Sequence, residues 1–369
     1  MKNLTEHTTV QPLFQPFQLG ALALSNRIVM APMTRGFSPG GIPTEDVASY
    51  YRRRAEHDVG LIVTEGTGIN HPASVSGSSI PLFYGEKALQ GWEQVVKEVH
   101  TAGGKIAPQL WHVGMTRSPG DEPNTEAMPV GPSGLALTGE KVSEPLTTKE
   151  IHDLVSAYAQ GAADAKRLGF DAVEIHGAHG YLIDQFIWSH TNHRTDEYGG
   201  DLKGRTRFAV EIVEACREAV GPDFPIIFRF SQWKMSDYKA KIAETPEELE
   251  EFLTPLVEAG VDIFHTSTRR FWEPEFEGSD LNLAGWTKKI SGKPTIIVGS
   301  IGLNGEFTSG AGAETTSLDG LMERFQHDEF DMAAVGRSLL MDPAWAEKVR
   351  DGRADELQAY SRESLNNLY

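Results

Sequence analysis

The sequence is 369 residues long and carries 52 acidic against 34 basic side chains, a formal net charge of −18. With 40% hydrophobic and 23% charged residues it is ordinary globular material, which excludes a disordered or fibrous chain, and the acid excess disfavours nucleic acid and anionic membrane surfaces as partners. Cys216 is the only cysteine, so an internal disulfide, an all-cysteine zinc site and a four-cysteine iron–sulfur cluster are excluded as well.

The start, Met1 to Pro12, has one lysine and no apolar stretch of signal-peptide length. No apolar run approaches the roughly 18–20 residues that a membrane span needs. The expectation is a soluble protein of a reducing compartment, the cytoplasm. Residues 11–26, with Gly20 between two apolar stretches, predict a β-hairpin. Strands are then predicted at 27–31, 60–64, 105–109, 171–175, 225–230, 261–266, 294–298 and 331–335. Helices fall between them, near 45–58, 86–102, 147–168, 203–220, 246–259, 281–290, 316–328 and 343–351.

Helix punctuation supports these boundaries. Thr148 precedes Lys-Glu-Ile at one start, and Gly169 suits a left-handed end. Thr245-Pro246-Glu-Glu opens another helix with a capping hydroxyl, a proline at the first position and acid at the positive dipole end; Gly260 closes it. Eight strands each followed by a helix predict an α/β protein, a (β/α)8 TIM barrel. A doubly wound open sheet would give the same alternation. The long segments 65–85, 111–146, 177–202 and 267–280 favour the barrel, because each follows a strand and would lie on its C-terminal face, where chemistry accumulates. No linker divides the chain, so residues 1–369 are expected to form one domain, with the hairpin closing the bottom of the barrel and 111–146 and 267–280 as loop insertions.

Chemistry-bearing residues cluster at these strand ends. The fourth strand runs into Glu174-Ile-His176-Gly-Ala-His179-Gly-Tyr181, so two imidazoles able to converge on one oxygen or one metal stand beside a phenol that is a neutral proton donor at pH 7. The seventh ends in Gly299-Ser300 and the eighth in Gly336-Arg337, the place where barrels of this kind hold phosphate. Arg229 lies between two phenylalanines on the fifth strand and needs an anion, an electron-rich partner or a salt bridge to a carboxylate such as Glu174. Gln109 and Trp111 add an amide and a broad aromatic face, and Pro32-Met33-Thr34 adds a hydroxyl and exposed backbone. A flat, phosphorylated, hydrogen-bonding cofactor would use each of these groups.

These residues resemble the old yellow enzyme family of FMN-dependent ene-reductases. The resemblance covers nearly the whole chain. It rests on Ala-Pro-Met-Thr-Arg at 31–35, Thr-Glu-Gly-Thr at 64–67, Gln-Leu-Trp at 109–111, Glu-Ile-His-Gly-Ala-His-Gly-Tyr-Leu-Ile at 174–183 and Arg-Thr-Asp-Glu-Tyr-Gly-Gly at 194–200. It implies FMN, with Pro32, Met33, Thr34 and Gly66 around the ring, Gln109 at the pyrimidine and Arg229 beside N1; no cysteine or histidine is placed for attachment, so the FMN is expected to be non-covalent. Gly299, Ser300, Gly336 and Arg337 would hold the phosphate. It further implies that His176 and His179 bind the carbonyl oxygen of an α,β-unsaturated substrate, that hydride comes from flavin N5, and that Tyr181 protonates the α-carbon. NAD(P)H would be the co-substrate in ping-pong turnover.

Trp111, and Phe271 and Trp272 of the 267–280 loop, are expected as substrate walls, unless the last two only pack that loop. His179 stands where other members carry Asn, which makes the charge of that position pH-dependent. Asp201 and Gly204 also depart from the family pattern. The single cysteine sets aside the iron–sulfur, multidomain relatives. Two other readings remain open at this point: a metal-dependent barrel hydrolase using the two histidines, and a non-catalytic flavin-binding barrel. No metal is expected. The physiological alkene, NADH against NADPH, and monomer against homodimer are not legible.

Overall fold

The computed structural model describes residues 9–305 and 312–369; residues 1–8 of the N-terminal stretch considered above lie outside the described residues. After a short 3-10 turn, β1 (Phe17–Leu19) and β2 (Leu22–Leu24) pair antiparallel around Gly20, the predicted hairpin. Eight parallel strands follow: β3 (Ile28–Met30), β4 (Leu61–Gly68), β5 (Lys105–Trp111), β6 (Val173–His179), β7 (Ile226–Lys234), β8 (Ile263–Ser267), β9 (Thr295–Val298) and β10 (Met332–Val335). They close in the order β3 to β10, with β10 paired back onto β3. This is the (β/α)8 TIM barrel that the alternation predicts.

The outer layer is α1 (Glu45–Glu56), α2 (Glu86–Thr101), α3 (Thr148–Arg167), α5 (Leu202–Val220), α6 (Pro246–Ala259), α7 (Leu283–Ser291) and α8 (Asp319–Gln326), one after each of the first seven barrel strands. The short α4 (Leu182–Ile187) lies in the loop after β6, and α9 (Arg337–Met341) and α10 (Trp345–Arg350) follow β10. Among the described residues no helix is long and apolar enough to cross a membrane.

Two buried layers hold the fold. One lies between strands and helices. The other fills the lower barrel, where Phe17, Leu22 and Leu24 of the hairpin pack on Val29, Leu61, Ile227, Ile263, Ile296 and Met332 from the strands. The hairpin is therefore a plug for the N-terminal mouth, and the open mouth is the C-terminal one.

The caps explain the helix starts. Thr147, one residue earlier than expected, accepts from the Glu150 amide while Glu150 accepts from the Thr147 amide, a reciprocal capping box. Thr245 caps α6 with Pro246 at its first position, and Gly260 closes that helix in the left-handed conformation. The two family departures have a local cause. Asp201 caps α5 by accepting from the Gly204 amide at 2.8 Å, and a Cβ at position 204 would lie 2.1 Å from the Gly199 carbonyl oxygen.

Two strands run further than the sequence indicates, and both extensions matter for the site. β6 continues through His179 rather than stopping near Ile175, with a register shift against β7 between Gly177 and His179. β7 continues to Lys234 rather than Phe230.

Candidate active site

The open mouth holds a cavity of about 400 Å³. Every strand end reaches it. Pro32, Met33 and Thr34 come from the segment after β3, Gly66 from β4, Gln109 and Trp111 from β5, His176 and His179 from β6, and Arg229 from β7. Gly299 and Ser300 follow β9, Gly336 and Arg337 follow β10, and Tyr181 stands just past β6. Phe271 and Trp272 are not among the lining residues, which corrects their expected place as walls. The Phe271 amide donates to Gly299 O, and the two rings meet edge to face at 5.1 Å, so they pack the loop. Trp233 takes the aromatic position instead, carried there by the extra length of β7.

The charge of the lining is opposite to that of the chain. Arg229, Arg269, Arg337 and Arg362 all face the cavity, and no Asp or Glu does among the described residues. Arg270, by contrast, is held by Glu273 at 2.9 Å. An acidic protein thus has a basic, partly aromatic pocket, a setting for an anionic planar ligand.

Arg229 is buried, and the salt bridge to Glu174 that the sequence leaves open does not form. Glu174 instead accepts from Gln109 Nε2 at 2.8 Å and from His265 Nδ1 at 2.6 Å, all three side chains buried. The Arg229 contact is a long one, Nη2 to Ser267 Oγ at 3.4 Å, and its Nε has no partner among the described residues. Burial pulls the guanidinium below its ordinary value, while the Glu174 charge and Tyr181 pull it back. A buried cation with an unspent donor requires an electron-rich ligand atom. Gln109 spends its NH₂ on Glu174, and its carbonyl oxygen therefore remains as the group for a ligand N–H.

Trp111, His176, His179 and Tyr181 form one ring cluster. His176 lies 5.3 Å from His179 and 5.1 Å from Tyr181 between centroids, both edge to face; Trp111 stands edge-on to Tyr181 at 4.9 Å. The Ala178 amide donates to His176 Nδ1 at 3.3 Å, so a neutral His176 carries its proton on Nε2. His179 has φ of +66°, and its amide donates to Ser231 Oγ at 2.9 Å. Its ring stacks on Trp233 at 4.5 Å, and its Nε2 lies 2.7 Å from Ser267 Oγ.

Burial first, then the Arg229 charge, holds both imidazoles well below the ordinary histidine value. They are neutral at pH 7, and the pH-dependent charge expected at His179 is corrected: its titration is displaced away from neutrality. Burial pushes the Tyr181 phenol above its ordinary value, against a smaller pull from Arg229, so it keeps its proton.

At the far end of the cavity Arg337 Nη2 donates to Ser300 Oγ at 3.1 Å, and its guanidinium stands 5.4 Å over the Tyr360 ring. Ser300 has φ of +54°, unusual for a non-glycine residue. The amides of Gly299, Ser300 and Gly336 donate to no acceptor among the described residues. Backbone donors beside an arginine fork form an anion site.

Besides Trp233, three features are not apparent along the sequence. Ser267 and His265 follow the period-two pattern of β8 and therefore share its inner face; that alternation was the available signal. Lys234 and Asp184 form a fully buried ion pair at 2.7 Å, and Asp184 also accepts from the Gly180 amide, pinning the turn that carries Tyr181. Tyr360, Arg362 and Leu365 bring the C-terminal segment into the wall. The Arg35 guanidinium secures it by donating to the carbonyls of Ser364, Leu365 and Asn367, which no local pattern announces.

Residues 12–356 match the model of the NADH:flavin oxidoreductase / NADH oxidase family. A NADH oxidase of Thermoanaerobacter brockii is 35% identical over 355 residues, 94% of this chain and 52% of the relative. A 12-oxophytodienoate reductase 7 of Oryza sativa subsp. japonica is 39% identical over 225 residues, 58% of this chain and 56% of the relative. The chain therefore spans about half the length of these curated relatives. The structure of morphinone reductase in complex with tetrahydroNAD superimposes with a TM-score of 0.79 at 31% identity, covering 96% of this chain and 93% of that one. Barrel, cavity and matched residues agree, and the chain belongs to the NADH:flavin oxidoreductase / NADH oxidase family.

Proposed function

We propose that this protein is an NAD(P)H-dependent, FMN-containing ene-reductase, acting on alkenes activated by a carbonyl or similar group. The carrying observation is the basic cavity in an acidic chain: four arginines, no carboxylate on its wall among the described residues, and two neutral imidazoles and a phenol grouped on one side. The residues fit FMN. The partnerless Nε of buried Arg229 suits the electron-rich edge of the ring, the Gln109 carbonyl suits a pyrimidine N–H, and the amides of Gly299, Ser300 and Gly336 beside Arg337 suit a phosphate. Pro32, Met33, Thr34 and Gly66 would border the ring. Relatives named for reduction of 12-oxophytodienoate and of morphinone support the substrate class.

Bound FMN would supply the hydride chemistry between a nicotinamide nucleotide and the β-carbon of the alkene. The chain's own groups do the rest. His176 Nε2–H, with His179 beside it, donates to the substrate carbonyl oxygen and stabilises the charge that develops there. Tyr181 holds the proton for the α-carbon; burial keeps its hydroxyl protonated until that charge develops. Arg229 would offset negative charge gained by a flavin held against it. Trp111 and Trp233 wall the cavity and limit water.

The metal-hydrolase alternative finds no favouring observation: among the described residues no group of three His, Cys, Asp or Glu side chains is arranged to hold an ion. Covalent attachment is not proposed, because Cys216 is buried on α5, away from the cavity. The test is purification followed by flavin identification and anaerobic assay with NADH, NADPH and 2-cyclohexenone. The expected result is FMN released on denaturation, a yellow protein bleached by one nucleotide and recoloured by the enone. Protein that takes up no FMN, or FMN that neither nucleotide reduces, overturns the proposal.

A further inference from the structure

His179 is gripped from two sides by one residue. Ser267 ends β8 with its side chain buried. Its Oγ lies 2.7 Å from His179 Nε2, and its carbonyl oxygen accepts from Trp233 Nε1 at 3.0 Å, the indole on which the His179 ring stacks. The direction of the Ser267–His179 bond follows from the third partner. Arg229 Nη2 approaches the same Oγ at 3.4 Å, and a guanidinium can only donate. Two lone pairs could take both donors, but the buried hydroxyl proton would then have no acceptor, because Oγ has no partner besides Arg229 and His179 among the described residues; the proton therefore points to the imidazole. A neutral imidazole has one acceptor nitrogen, so Nε2 is the acceptor and Nδ1 carries the proton.

We propose that Ser267 is a positioning residue that fixes His179 in its Nδ1–H tautomer. The His176–His179 pair thereby presents two donors, Nε2–H and Nδ1–H, to one substrate oxygen. In the other tautomer His179 would turn a lone pair toward the cavity and repel that oxygen. The two histidines use opposite nitrogens because each has its other nitrogen occupied, one by the Ala178 amide and one by Ser267. This inference rests on the functional reading above for the identity of the oxygen, but the tautomer itself does not.

The experiment has two readouts on the FMN-loaded protein. Nitrogen-15 NMR of histidine-labelled protein, with His179 assigned by comparison with His179→Gln, reports which ring nitrogen is protonated. Titration with 4-hydroxybenzaldehyde, followed by flavin absorbance, reports donation to a ligand oxygen. The expected outcome is a protonated Nδ1 in the wild type. Ser267→Ala should lose that preference and bind the phenol roughly tenfold more weakly, the equivalent of about 1.4 kcal/mol for one hydrogen bond, with FMN affinity unchanged. A proton on Nε2 of wild-type His179, or a Ser267→Ala protein that binds the phenol like the wild type, overturns the role of Ser267. Wild-type protein that shows the Nδ1–H signal yet binds no phenol overturns the ene-reductase reading and leaves the tautomer assignment standing.

Discussion

Replacement of Lys234 by Met isolates the work of the buried ion pair under the catalytic turn. Lys234 Nζ and Asp184 Oδ1 are 2.7 Å apart with both side chains fully buried, and Asp184 Oδ2 also accepts from the Gly180 amide. Methionine fills the volume and removes the charge, so Asp184 is left as a buried carboxylate with one amide donor. Breaking such a pair from one side costs about 3–5 kcal/mol. For a chain of 369 residues, at roughly 2.1 cal/mol/K of unfolding entropy each, that is a fall in Tm of about 4–6 °C. Burial already raises the Asp184 carboxyl above its ordinary value while Lys234 pulls it down. Without Lys234 it rises further, and the native state then holds a proton that the unfolded state has lost. Stability falls as pH rises in that case, so the deficit should be larger at pH 8 than at pH 5.5. Thermal unfolding followed by circular dichroism at the two pH values measures both effects, and the double variant Lys234→Met/Asp184→Leu should recover most of the loss. A Tm within about 1 °C of wild type at both pH values, or a deficit that grows on acidification, refutes the account.

Three further outcomes are expected. Tyr181→Phe should slow alkene reduction by about 10²-fold or more while leaving flavin reduction by NAD(P)H intact, as stopped-flow traces of the two half-reactions would show; equal loss in both removes Tyr181 as the proton donor. Arg229→Met removes a buried cation that has no ion-pair partner among the described residues, so thermal stability of the flavin-free protein should hold or rise, while the flavin midpoint potential becomes more negative; an unchanged potential by dye-equilibrated titration would place Arg229 away from the ring. Glu65 is buried beside Gly66, its Oε2 accepts from the Arg35 and Gly36 amides, and burial raises its carboxyl to about 7. Its folded value lies above the unfolded one, so the native state is favoured below about pH 5 and loses about 3 kcal/mol from this group as pH climbs past 7; Glu65→Gln should flatten Tm against pH over that window, and an unaltered slope would contradict the assignment.

The barrel was legible because a parallel sheet covered on both faces writes itself as continuous apolar runs separated by capped helices. Thr245-Pro246 and Gly260 bracket α6 as expected. The strand ends were less legible. β6 and β7 run on through His176, His179 and Lys234, polar residues that propensity assigns to loops and that the cavity tolerates because they hydrogen-bond one another. That extension hides Trp233, while the aromatic pair Phe271-Trp272 draws the expectation to the 267–280 loop. Arg229 stood out as a charge among phenylalanines, but its relation to Glu174 depended on competition from Gln109 and His265, residues 65 and 91 positions from Glu174. Such partner choice is set by register across three strands and cannot be read along one.

The electrostatics of the cavity and the hydrogen-bond directions within it are parts of one constraint. A buried guanidinium suits a ring that gains negative charge, yet burial first and then that same charge make an imidazolium next to it costly, and both histidines are driven toward the neutral form. A neutral imidazole is a donor on only one nitrogen, so neutrality alone would leave each ring free to present a lone pair to the substrate. The chain removes that freedom with groups that do not touch the substrate. The Ala178 amide can only donate, which settles His176; Ser267, polarised by Arg229 itself, settles His179. The cation that adds to burial in keeping the histidines neutral is thus also the group that orients one of them. Loss of Arg229 should therefore loosen the His179 tautomer as well as shift the flavin potential, two effects at one residue that a purely structural arginine would not couple.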